Sequence, residues 1–178
     1  MNVEIEVKVK IKDIKQIKSR LKKLGAKYLG TLKQIDTYFL IKQSDRFRSA
    51  PRLRVRQDLI GKKARLEYHE PKDKLTTHEF ELEINDAKTA ETILKRLGLA
   101  RETAIQKTRL EYKLGKMNIV LDDVKGLGKF IEVEIINGKR SESKKRIFEL
   151  LDKLGVDRKN VMDNGYLHMI WEKMKKKL

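Results

Sequence analysis

From Val3 onward the opening stretch, MNVEIEVKVKI, alternates apolar and charged residues without interruption. Successive side chains on a strand point to opposite faces. Val3, Ile5, Val7, Val9 and Ile11 therefore share one face, and Glu4, Glu6, Lys8 and Lys10 share the other. The apolar face must be covered. The charged face meets either bulk water or an interior built for ions.

Five further stretches read as strands: 35–41, 52–57, 64–70, 105–114 and 117–123. Two more acidic strands, one running from Glu79 and one from Phe130, bring the total to about eight. Hairpin turns are expected at Leu114-Gly115-Lys116 and Gly126-Leu127-Gly128. Segments 4–26, 79–99 and 130–156 share a plan: an acidic alternating strand, an amphipathic helix, then Leu-Gly. The expected buried faces are Ile14, Ile17, Leu21 and Leu24; Ile93, Leu94 and Leu97; and Ile147, Leu150, Leu151 and Leu154. Asp13, Asp86 and Ser141 or Ser143 are the expected N-caps. Gly25, Gly98 and Gly155 are the expected C-terminal stops. A final helix is expected over 166–178, with Lys173, Lys175, Lys176 and Lys177 as a solvated end.

The helices account for the apolar rows, which leaves the polar rows. Arg52, Arg54 and Arg56 form one; Glu79, Glu81 and Glu83 another; Lys107, Arg109, Glu111 and Lys113 a third; Glu132 and Glu134 a fourth. Acids and bases are segregated by strand. Rows of this kind commonly face water, but about eight strands can also close, and a sheet closed with the helices outside would place its charged rows in a central channel. One domain over residues 1–178 suffices. Charges left dry and unpaired in such a tunnel are costly. A divalent cation with a polyanion resolves the cost, because carboxylates bind the cation and Arg54 and Arg56 fork onto phosphoryl oxygens.

Composition narrows the chemistry. With no cysteine, disulfides, thiolate metal sites and thiol nucleophiles are excluded. His69, His78 and His168 lack ligand spacing, so oxygen ligands and Mg2+ or Mn2+ are expected. No apolar run exceeds four residues, which predicts no membrane span and a cytoplasmic protein. The net charge of +17, from 43 Lys and Arg against 26 Asp and Glu, attracts polyanions, although much of the excess lysine reads as thermophile-like surface.

The charged rows also carry a resemblance. Glu4-x-Glu6-x-Lys8 is similar to the ExExK signature of the CYTH superfamily, the triphosphate tunnel metalloenzymes. The match continues, in order, through IDTYF (Asp36, Tyr38), LRVR (Arg54, Arg56), KTR (Lys107, Arg109) and LDDVKGLGKFIEVE (Asp122, Gly126, Gly128, Glu132, Glu134). The last block resembles the class IV adenylyl cyclase branch; thiamine-triphosphatases, inorganic triphosphatases and RNA triphosphatases are other members. The resemblance implies an α+β fold, a closed eight-stranded antiparallel barrel with amphipathic helices packed outside, whose tunnel binds triphosphate and one or two divalent metal ions. It implies Glu4, Glu6, Asp122, Glu132 and Glu134 as metal-side residues, Asp122 alternatively supporting the arginines. Lys8, Arg54, Arg56, Lys107 and Arg109 would hold phosphates, with Glu4, Glu6 and Lys8 as the catalytic set. His69 stands where many members carry a lysine, and His78 near where many carry an arginine. A histidine adds a full charge only when protonated, so His69 is expected to bind phosphate more weakly than a lysine.

The leading functional expectation is metal-dependent hydrolysis of inorganic triphosphate or another triphosphate-bearing substrate. Conversion of ATP to cyclic AMP and pyrophosphate is the alternative. A non-catalytic polyanion or RNA binder comes third, since paired carboxylates repel phosphate unless metal intervenes.

Overall fold

The computed structural model describes residues 2–40, 51–73 and 75–175. Eight long antiparallel strands form the body: β1 (Asn2–Ile11), β2 (Lys27–Leu40), β3 (Arg52–Asp58), β4 (Lys63–Pro71), β5 (Thr76–Ile84), β6 (Ala100–Leu114), β7 (Met117–Val124) and β8 (Gly128–Ile136). Their order is β5-β4-β3-β2-β6-β7-β8-β1, and β1 also pairs with β5, so the sheet closes into the expected barrel. A two-residue strand, β9 (Val161–Met162), pairs with Lys8 and Val9. On that side β1 is thus shared: residues 2–5 pair with β5 and residues 8–9 with β9.

The barrel carries its main core on the outside. Ile5, Val7 and Val9 of β1 are almost fully buried, together with Ile119, Leu121, Ile131 and Val133. Helix α1 (Ile14–Lys23) covers them with Ile17 and Leu21, and α3 (Arg140–Lys153) with Ile147, Leu150 and Leu151. Asp13 caps α1 by accepting a hydrogen bond from the Lys15 N–H. Gly25, Gly98 and Gly155 follow helix ends at φ of 77°, 88° and 62°, which L side chains rarely adopt.

Helix α4 (Tyr166–Lys175) packs differently. Its Tyr166, Leu167, Met169 and Trp171 contact Tyr38, Ile105, Val124 and Phe130. Those four share strand parity with Gln34 and Asp36, Lys107 and Arg109, Asp122, and Glu132, respectively. They are inward-facing residues, so the tunnel lining turns apolar at one end and α4 seals it. Trp171 Nε1 anchors the helix by donating to Glu102 Oε1 at 2.7 Å. Lys173 and Lys175 are exposed, as expected of a solvated end; Lys176, Lys177 and Leu178 lie outside the described residues, as does Ile41 of the expected 35–41 strand.

Several expectations need correction. Helix α2 (Ala87–Arg96) does not bury Ile93 and Leu97, which are 53% and 71% exposed. Its buried face is Ala87, Ala90 and Leu94, set against Val55 and Ala64. Ile93 lies about 100° round the axis from Leu94 and misses the narrow contact. Helix α3 begins after Lys139 without a side-chain cap; Ser143 is instead buried one turn in. Strand β2 begins at Lys27, eight residues before the expected start, because an irregularity between Tyr28 and Gly30 breaks the two-residue period there. Strand β6 likewise begins five residues early, at Ala100.

These contacts make a contrast that equilibrium unfolding in urea can read. Leu21→Ala is expected to cost about 2–5 kcal/mol by opening a cavity between α1 and β1. Leu97→Ala, at an exposed helix end, is expected to stay within about 0.5 kcal/mol.

Candidate metal and phosphate site

The register of β1 against β8 sets the site. Glu6 lies opposite Glu134, and Lys8 opposite Glu132. Lys8 Nζ sits 2.7 Å from Glu6 Oε1 and 2.9 Å from Glu132 Oε1, above the Tyr166 ring. Burial disfavours the Lys8 ammonium, but Glu132 and then Glu6 outweigh it and raise its pKa. The Glu6–Glu134 pair is a like-charge pair, ordinarily destabilising on a sheet. Glu4 joins it: Glu4, Glu6 and Glu134 each offer an oxygen within 4.8 Å of the others. Asn118 Nδ2 donates to Glu134 Oε1 at 2.8 Å and steers that carboxylate.

Burial, then Glu134, pushes the Glu4 carboxyl up to about 10. Burial likewise raises Glu134 to about 7. Carboxylates crowded in this way suit a hard divalent cation, which takes oxygen ligands and cancels their repulsion. The donor set therefore fits a hard divalent cation, and Glu4, Glu6 and Glu134 are the residues that would hold it.

Across a cavity of about 360 Å3 stands a cationic wall. Strand β2 lies between β3 and β6, and fully buried Asp36 gathers cations from both neighbours. It accepts from Arg56 Nε at 2.8 Å, Arg56 Nη2 at 3.1 Å and Lys107 Nζ at 2.7 Å, with Arg54 Nη1 at 3.7 Å. Against burial, Arg56 and then Lys107 hold the Asp36 carboxyl well below its ordinary value. Lys107 is not raised in return: burial takes it down to about 8, with Arg109 and Arg56 adding to the effect. Arg54 and Arg56 also draw on Glu67 and are raised, whereas Lys107 hydrogen-bonds Asp36 and is opposed by Arg109 and Arg56.

Glu67 is the second organiser. It pairs with Arg54 Nε at 2.5 Å, Arg56 Nη1 at 3.3 Å and His69 Nε2 at 3.2 Å. Arg54, followed by Arg56, keeps it ionised against burial. The other nitrogen of His69 meets Glu79 Oε1 at 2.5 Å, so His69 bridges two carboxylates inside the barrel. Arg109 forks onto Asp122 at 2.8 and 2.6 Å and reaches Glu132 at 2.9 Å. Tyr166 donates to Asp122 at 3.0 Å.

The expected metal-side and phosphate-side residues thus face one interior, in two groups; His78, of opposite parity to Glu79, lies 3.9 Å from Glu70 and lines neither cavity. Glu4, Glu6 and Glu134 come together. Asp122 and Glu132 stand apart from them, engaged by Arg109 and Lys8. The sequence reading assigned no role to Asp36, Glu67 or Tyr166. For Asp36 and Glu67 the available signal was a lone acid at inward parity on a strand that pairs with a basic one.

The family model for the CYTH domain matches residues 2–166. A Methanocaldococcus jannaschii protein named "putative adenylate cyclase" is 33% identical over 173 residues, covering 94% of this chain and 98% of its own. A Pyrococcus horikoshii protein superposes with a TM-score of 0.84 at 31% identity, over 92% of this chain and 96% of that one. A Hippeastrum protein described as having a dominant triphosphatase activity shares the fold with a TM-score of 0.64 at 17% identity, over 88% and 89%. The inward charged rows, the closed barrel and a family match over most of its length place this chain in the CYTH domain family.

Proposed function

We propose that the chain is a divalent-cation-dependent triphosphatase that hydrolyses inorganic triphosphate or another triphosphate-bearing substrate inside the barrel. The observation that carries this reading is the opposition of the Glu4, Glu6 and Glu134 trio to the Arg54, Arg56, Lys107 and Arg109 wall across one cavity. Members of the family are enzymes that act on triphosphates, which supports it. A bound divalent cation supplies Lewis-acid stabilisation of phosphoryl oxygens. Arg54, Arg56 and Arg109 retain guanidinium donors beyond those used on Glu67, Asp36 and Asp122, and these orient the chain of phosphoryl groups. Lys8, held between Glu6 and Glu132, places its charge where the two groups meet. Asp36, Glu67 and Asp122 are positioning residues that fix the cations before substrate arrives, the preorganisation on which charge stabilisation depends.

Cyclisation of ATP is the second reading, favoured by the name of the M. jannaschii relative. Phosphorus NMR of the products from ATP and from inorganic triphosphate, with Mg2+ or Mn2+, separates the two. Orthophosphate from either substrate marks hydrolysis. Cyclic AMP with pyrophosphate overturns it.

Glu6→Gln is expected to lower turnover by roughly two orders of magnitude or more, since the stabilisation at stake is several kcal/mol. Turnover unchanged at saturating Mg2+ would remove the trio from the reaction.

Stability should depend on pH with a definite sign. Glu4 and Glu134 titrate near 10 and 7 in the folded protein, against 4.5 ordinarily. Between about pH 5 and 7 the folded state therefore binds more protons than the unfolded one, and stability falls as pH rises. Asp36, Glu67 and Glu132 are shifted down, stay ionised over this window and add no slope. A divalent cation favours the ionised trio, so the Mg2+-induced rise in Tm should grow with pH. Thermal unfolding across this range, with and without Mg2+, checks both signs. The Glu4→Gln, Glu134→Gln double variant should flatten the metal-free slope.

Asp36→Ala removes the carboxylate that pairs with buried Lys107. A loss of about 3–5 kcal/mol is expected in urea unfolding, as for other broken buried pairs. KM for triphosphate should rise with it.

A further inference from the structure

Arg52 differs from the other cations of the interior. It extends the Arg54–Arg56 row one step along β3, so it faces the same interior. Lys8, Arg54, Arg56, Lys107 and Arg109 all have carboxylate partners. Arg52 makes no ion pair with a described residue, and its Nε is buried without a hydrogen-bond partner. The two carboxylates whose charge it feels are occupied, Glu6 by Lys8 and Glu79 by His69. Burial, the largest influence, pulls its guanidinium below the ordinary value, and neighbouring Arg54 adds to this.

An unpaired buried guanidinium is costly to a fold. The surroundings nevertheless make room for this one. A Cβ at Gly165 would stand 2.8 Å from Arg52 Nη1, so the glycine ahead of α4 leaves that space open. Arg52 lines a second cavity of about 350 Å3 with His69 and Asn164. That cavity adjoins the main one through Glu6, Lys8, Glu79 and Gly165, which line both.

We infer that Arg52 is a phosphoryl-binding residue for the part of a substrate that extends past Lys8 into this second cavity, an inference that rests on the triphosphate reading of the main cavity. A guanidinium with its donors free is the side chain best matched to a phosphoryl group, which it grips by two parallel hydrogen bonds. Two substrates present that group there. One is an organic triphosphate ester, through the phosphoryl that bears the organic moiety. The other is a longer inorganic chain, through its fourth phosphoryl.

Calorimetry in EDTA, where the metal-dependent reaction cannot run, with inorganic triphosphate, inorganic tetraphosphate and ATP tests the assignment on the parent, Arg52→Gln and Arg52→Lys. Arg52→Gln is expected to weaken binding of ATP, tetraphosphate or both by about tenfold or more, as for hydrogen bonds to charged groups. Inorganic triphosphate should change by less than about threefold. Arg52→Lys should recover part of the loss. A loss confined to ATP identifies the ester, and one confined to tetraphosphate identifies the longer chain. Dissociation constants unchanged for all three ligands overturn the inference. So does an equal loss for all three, which with a fall in unliganded Tm makes Arg52 a structural residue. Failure of the triphosphatase reading shows separately, in the products formed, because these constants do not depend on turnover.

Discussion

The pairing of β1 with β8 sets two carboxylates face to face at Glu6 and Glu134 and, one pair along, a lysine against a carboxylate at Lys8 and Glu132. A slip of one residue would send every one of these side chains to the outer face and bring Val7 and Val133 inside. The outer cluster forbids that slip. Val7 and Val133 are locked under α1 and α3 with Leu21, Leu151 and Leu154. The apolar packing outside thereby holds an unfavourable electrostatic arrangement inside. The energy that keeps Glu4, Glu6 and Glu134 together comes from hydrophobic burial on the opposite side of the same strands.

The cationic half obeys the opposite logic. Asp36 and Glu67 are fully buried, and each serves cations from more than one position. Buried pairs of this kind add little net stability against an apolar replacement, yet are expensive to break singly. Their value lies in geometry. Strand β2 stands between the two basic strands, so one aspartate fixes the spacing of Arg56 on β3 and Lys107 on β6. A strained acidic cluster thus faces a largely paired basic network, and the acidic strain is placed where a cation relieves it.

Much of this was legible in the residues because β1, β3 and β8 alternate cleanly, so parity could be read and the charged rows assigned to one interior. That parity places Glu132 and Glu134 on one face alike, and only the register of β1 against β8 sets Glu134 with Glu6 and Glu132 with Lys8. Other features depend on relations between strands that no single segment displays. Glu67 lies between Leu66 and Tyr68 like any half-buried acid; only the pairing of β3 with β4 sets it opposite Arg54. The first half of β2 was hidden by the irregularity at Tyr28 and Gly30, and β9 is too short to show a period. The helix α2 face was misread because two alanines do the packing that Ile93 and Leu97 seemed made for. Arg52 was visible as part of a row, but that it makes no ion pair with a described residue could not be seen without the carboxylates around it.

Helix α4 follows every strand in the chain, yet it covers the inward residues Tyr38, Ile105, Val124 and Phe130 and sets Tyr166 against Asp122. The helix thereby screens from solvent the end of the interior where Arg109 meets Asp122, and an ion pair kept from water interacts more strongly than one left in it. A segment outside the barrel thus sets the medium in which the barrel's own charges meet.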